Sequence, residues 1–189
     1  MKQAQPRLIL VFSAIMLASV LRVLPHWPNF TPMAAMALMG GTFIRDRRIA
    51  FFTPLVALFI SDILTIQFIN HQWTSVNDFF LSPATWLLYM TYILMTIIGL
   101  RLQKNPSAFN ISLSALSCSL LFFIASNFGV WLVNELPKNL TGLAETYMLG
   151  IPFFGYDLAG SLFYSFIFFG AFKVVCERWP SLNRKPLMQ

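Results

Sequence analysis

The chain has 189 residues, of which 57% are hydrophobic and only 11% charged, with 20 phenylalanines and a formal net charge of +6. An average soluble domain carries about twice that charged fraction, so the sequence reads as an integral membrane protein rather than a soluble one. The positive balance does not point to nucleic acid, because the basic residues cluster at the ends of apolar runs and form no aromatic-interleaved face.

Six apolar runs predict an all-α, six-helix membrane bundle that fills one domain over residues 1–189. The first run, 8–24, follows Lys2 and Arg7 and has the outline of a signal peptide, with Ala18-Ser19-Val20 as a weak cleavage site. Five further runs follow it, so an uncleaved first span is expected. The second run, 32–44, gives only about 20 Å of helix at about 1.5 Å per residue. A hydrocarbon core is about 30 Å thick, so this run is expected to be partly embedded, or to cross where protein itself fills the bilayer. Runs 49–68, 83–100 and 111–133 have ordinary spanning lengths. The last, 151–175, carries Pro152 and Asp157 near its start, which places its working core from Leu158 onward.

The basic residues set the expected orientation. Lys2, Arg7, Arg45, Arg47, Arg48, Arg101, Lys104, Lys173, Arg178, Arg184 and Lys185 all fall on one side if there are six crossings, and only Arg22 and Lys138 fall on the other. By the positive-inside rule both termini are then cytoplasmic. The acids show the opposite bias: Asp62, Asp78, Glu135, Glu145 and Asp157 lie toward the outer ends, and Asp46 and Glu177 toward the inner.

The outer end gathers the polar chemistry. "RVLPHWPNFTP", residues 22–32, places Arg22, His26, Trp27 and Asn29 between two apolar runs, and its three prolines hold it extended or turned. The second outer loop adds Asp62 and Trp73, and the third adds Asn127, Trp131 and Asp157. An aromatic belt with wet loops accounts for most of the Trp and Tyr positions. It accounts less well for Arg22, Asp62 and Asp157, which lie within or beside apolar runs where a charge must pair or face water. Arg22 could pair structurally with either acid; alternatively the three form the polar floor of an outward cavity for a small molecule.

Two histidines without a third ligand at usable spacing make no metal site, and no cofactor is expected. No nucleophile, zinc-protease or phosphate-loop motif appears, so the chain reads as a non-enzyme without an ATPase of its own. Cys118 and Cys176 are too few and too scattered for a disulfide framework. Ala14 and Ala18 form an A-x-x-x-A pair in the first span, a spacing that lets another helix approach closely. The bland reading of that pair is packing within the protein's own bundle.

"RVLPHWPNFTPMAAMALMGG", "PLVALFISDIL", "SNFGVWL" and "GIPFFGYDLAGSLFYSFIFFGAF" together resemble a family of uncharacterised bacterial six-span proteins. That family in turn looks like the substrate-binding S components of energy-coupling-factor (ECF) vitamin transporters. The resemblance implies a vitamin-like small molecule held in an outward pocket of a bacterial inner-membrane protein, and the outer-end residues expected to bind it are Arg22, His26, Trp27, Asn29, Asp62, Trp73, Asn127, Trp131 and Asp157. It also implies an ECF transmembrane subunit docking at Ala14 and Ala18, with two ATPases energising release. Relatives carry a "GDLFY" segment in the last span, where this chain reads Gly160-Ser161-Leu162-Phe163-Tyr164 with its acid at Asp157. A second expectation is a structural or assembly protein of the cell envelope, resembling small rod-shape membrane proteins, with no ligand.

Overall fold

The computed structural model describes residues 5–24, 27–68, 76–179 and 182. Within them the chain is all-helical: α1 (Gln5–Leu21), α2 (Met33–Phe43), α3 (Arg47–Phe68), α4 (Val76–Leu81), α5 (Pro83–Leu102), α6 (Ala108–Val133) and α7 (Leu140–Arg178). Helix is the form such runs must take, since each backbone N–H and C=O finds its partner within the segment and none is left to the hydrocarbon. Four helices, α3, α5, α6 and α7, are long and apolar enough to cross a membrane. Their outward faces carry Phe52, Phe59, Met90, Leu94, Leu113, Leu120, Ile124, Phe163 and Val174, all exposed. In water so continuous an apolar surface would drive association, whereas in lipid it is the solvated face.

The described residues hold seven helices rather than the expected six, the extra one being the short α4, in a stretch expected as loop. The run expected from 151 starts instead at Leu140. Asn139 caps it by accepting from the Gly142 amide at 3.0 Å, and Gly142 leaves no room for a side chain against the Pro137 carbonyl. The helix continues through Pro152, so a proline inside an apolar run did not end it.

The short α2 is the axis of the molecule. Every residue from Met33 to Thr42 is buried, beneath α1, α3, α5 and α7. Its backbone lies directly on α5: a side chain at Gly41 would fall 2.3 Å from the Thr96 carbonyl, and one at Gly99 would fall 2.6 Å from that of Leu38. Polar caps tie the contact, with Thr42 donating to the Gly99 carbonyl at 3.0 Å and Gln103 donating to that of Gly41 at 2.7 Å.

This arrangement corrects the reading of Ala14 and Ala18. Val11, Ile15, Ala18 and Ser19 are fully buried, at i, i+4, i+7 and i+8 of α1, and Ala14 packs half-buried beside them. The small residues therefore serve the contact of α1 with α2 and α3. The outward face of α1 is made by Ile9, Phe12, Leu17 and Val20 instead.

Candidate functional site

The segment 27–31 turns tightly, with Phe30 N–H donating to the Trp27 carbonyl at 3.0 Å and Thr31 N–H to that of Asn29 at 2.9 Å. Asn29 takes the left-handed conformation, φ 62°, which asparagine tolerates better than most side chains. The turn lies directly on α7, because a side chain at Gly160 would meet the Phe30 and Thr31 backbone at 3.0 Å. Phe30 packs there against Phe163 and Tyr164, with ring centres 5.6 and 5.5 Å away. Asn29 is thereby fixed over the gap between α6 and α7.

That gap is a cavity of about 300 Å³, lined by Asn29, by Phe122, Phe123, Ser126, Asn127 and Asn134 of the α6 side, and by Thr146, Gly150, Phe153, Phe154 and Asp157 of α7. Its volume sits at the lower end of the range for small-molecule pockets, about 300–1,000 Å³. Asn127 donates to the Phe123 carbonyl at 2.7 Å, which leaves its amide oxygen toward α7. Gly150 is what admits that amide, since a methyl there would lie 2.1 Å from the Asn127 oxygen. At the cavity floor Asp157 is buried, and its Oδ2 has no hydrogen-bond partner. The hydroxyls of Ser119 and Ser161, 3.0 Å apart and both buried, lie beneath it. A buried acceptor without a donor is costly, and the residue that carries this one also lines the cavity.

Arg22 and Asp62 belong to a different constellation. The Arg22 guanidinium pairs with Asp62 Oδ1 and donates to Ser61 Oγ at 2.7 Å, while Tyr89 donates to Asp62 Oδ2 at 2.9 Å. Both carboxylate oxygens of Asp62 are therefore engaged, and this network ties the end of α1 to α3 and α5. Of the two acids that sequence left open as partners of Arg22, the fold uses Asp62.

The other expected site residues separate likewise. Asn29, Asn127 and Asp157 meet at the cavity. Trp27 stands largely exposed beside Phe30 and Tyr156, with ring centres 5.8 and 6.2 Å away. Trp131 braces the α6–α7 connection, donating to the Pro137 carbonyl at 3.1 Å with Lys138 Nζ 5.7 Å from its ring centre. Neither tryptophan lines the cavity, nor do Arg22 and Asp62. His26 and Trp73 lie outside the described residues. Ser126, Thr146 and Gly150 were not singled out from sequence, being single small residues; Gly150 meets Asn127 only because α6 and α7 pack together. Among the described residues no group of three His, Cys, Asp or Glu side chains could hold a metal ion.

Over residues 2–182 the chain matches a model described as Family of unknown function (DUF6580), and it belongs to that family. No curated protein and no solved structure matches it.

Proposed function

We propose that this member of a family of unknown function is the substrate-capture subunit of a micronutrient importer, similar to the S components of ECF transporters. In this reading six segments cross a bacterial cytoplasmic membrane with both termini inside, and the α6–α7 cavity opens outward to take a small vitamin-like molecule. The observation that carries it is the unpartnered Asp157 oxygen at the floor of a cavity walled by amides and aromatic rings. The charge split supports the orientation: with six crossings, eleven of the thirteen basic residues of the sequence would fall on the side opposite this cavity.

The lining also speaks to the ligand. Among the described residues it holds one carboxylate, three asparagines, two hydroxyls and four phenylalanines, and no lysine, arginine or histidine. Such a site favours a ring-bearing molecule that donates hydrogen bonds or carries positive charge, because the carboxylate would accept from it and the ring faces would attract it. An anionic ligand would meet Asp157 without a counter-charge. Energising partners, a transmembrane subunit and ATPases, would have to engage a face of the bundle other than Ala14 and Ala18.

The test is ligand-dependent stabilisation of the purified protein. Water-soluble vitamins and small aromatic amines, screened singly, should include a compound that raises the melting temperature of the wild type. The same compound should leave Asp157→Asn unmoved. Gly150→Ala, which pushes the Asn127 amide off its seat, should weaken the effect about tenfold or more. If no compound stabilises the protein, and it co-purifies only with envelope-synthesis proteins, the capture reading fails in favour of an assembly role.

A further inference from the structure

At the opposite end of the bundle lies a second, larger cavity of about 590 Å³, between the first turn of α1, the α5–α6 connection and the last turns of α7. Half-buried Arg7 reaches into it from α1. The guanidinium rides over the stacked rings of Phe43 and Phe172, 5.9 and 5.5 Å from their centres, and its Nε is buried without a hydrogen-bond partner. A second cation, Lys173, lines the same space. The one acid of the lining, Glu177, stands 3.9 Å from Lys173 with both side chains mostly exposed. Exposed pairs of that kind contribute little, and among the described residues Arg7 makes no ion pair. The start of α6 also borders the cavity at Ser107 and Ala108, where the helix dipole adds further positive potential.

The shape of the outer wall says what kind of anion fits. Phe166, Gly170 and Lys173 stand at i, i+4 and i+7 of α7 and share one face. Phe166 is exposed, and the position a side chain would take at Gly170 meets nothing within 4 Å. Along α7 toward its C-terminal end, the stripe thus runs apolar ring, empty notch, ammonium. A soluble anion would need only the ammonium end, whereas a phospholipid would use all three. The residues outside the described part at this end of the sequence, 1–4, 180–181 and 183–189, supply Lys2, Arg184 and Lys185 and no acidic side chain. Charge complementarity therefore calls for an anion from elsewhere.

We propose that this cavity holds one anionic phospholipid, its phosphate between Arg7 and Lys173 and an acyl chain lying in the Gly170 notch along Phe166. Arg7, Lys173 and Glu177 sum to one positive charge, which matches a single phosphodiester. Two nearby cations should favour an anionic over a zwitterionic headgroup by roughly tenfold. This site is independent of the outer cavity and stands or falls apart from the capture reading.

Native mass spectrometry of the full chain, released from nanodiscs of equal phosphatidylglycerol and phosphatidylethanolamine, tests it. The expected result is one retained phosphatidylglycerol, preferred by roughly tenfold, with the preference abolished in Arg7→Ala. Gly170→Leu fills the notch without touching the guanidinium, and should also lose the lipid while melting like the wild type. This second variant keeps the test decisive if Arg7→Ala does not fold. Equal retention of both lipids overturns the proposal. So does retention unchanged in Gly170→Leu, or stabilisation by millimolar inorganic phosphate that equals that of phosphatidylglycerol, which would mark a site for soluble anions.

Discussion

Asp62 and Asp157 are 3% and 8% exposed, in helices of similar apolarity, yet only Asp62 has a donor for each carboxylate oxygen. Asp62 draws its cation from the end of α1 and its hydroxyl from α5, so three helices are fastened through one side chain. Asp157 has hydroxyls beneath it and a cavity in front. An ionised group in hydrocarbon surroundings is expensive unless it is paired, and the fold supplies the pair at one site and withholds it at the other. The difference separates a carboxylate that holds the bundle together from one that is held ready.

The sharpest way to break this comparison is to remove each acid in turn. Asp62→Ala leaves the Arg22 guanidinium without its counter-ion, and breaking a buried pair from one side costs about 3 kcal/mol or more. For a chain of this size the melting temperature should fall by roughly 6–12 °C. A fall of a degree or two would mean that Arg22 is adequately solvated at the membrane surface, and that the network fastens nothing.

Asp157→Asn should behave in the opposite sense. It removes a charge that has a Ser119 hydrogen bond but no cation among the described residues, so the empty protein should melt at the wild-type temperature or a few degrees above it. This is the usual exchange of stability against function at a binding site. Melting curves of the two variants in one detergent decide the matter. A loss at Asp157 as large as that at Asp62 would make both acids structural and erase the distinction.

The smallest effect refines the cavity rim. Asn29 has a positive φ, so Asn29→Gly should leave stability within a few tenths of a kcal/mol, whereas Asn29→Ala should cost about 1 kcal/mol. Chemical denaturation of the two variants separates the backbone role of Asn29 from its amide. Equal stability of both would show that the turn does not depend on that conformation.

Much of this was legible in the sequence, and the failures have physical causes. The long runs were found to within a few residues, because apolar length and composition decide a membrane helix. The stretch 140–150 was missed as helix because Glu145, Thr146 and Tyr147 lower its hydropathy and Pro152 looks like a start. Asn29, Asn127 and Asp157 could be named together, since polar side chains beside apolar runs are conspicuous. Their separation from Arg22 and Asp62 could not, because partner choice depends on which helices touch. Ala14 and Ala18 failed for the same reason: a spacing of four states that two residues share a face, not which way the face points.

The burial of α2 bears on how the protein is made. At 11 residues it spans about 16 Å, roughly half a hydrocarbon core, and none of its buried surface would meet lipid once the chain is complete. Its own partitioning into the bilayer therefore cannot set its final depth. Two of the helices that cover it, α5 and α7, lie far downstream in the chain. During synthesis α2 has only α1 and α3 to cover it until α5 and α7 have emerged, and its burial is complete only as those later helices close around it. A chain truncated before α5 would leave α2 without the surface against which its glycines are shaped.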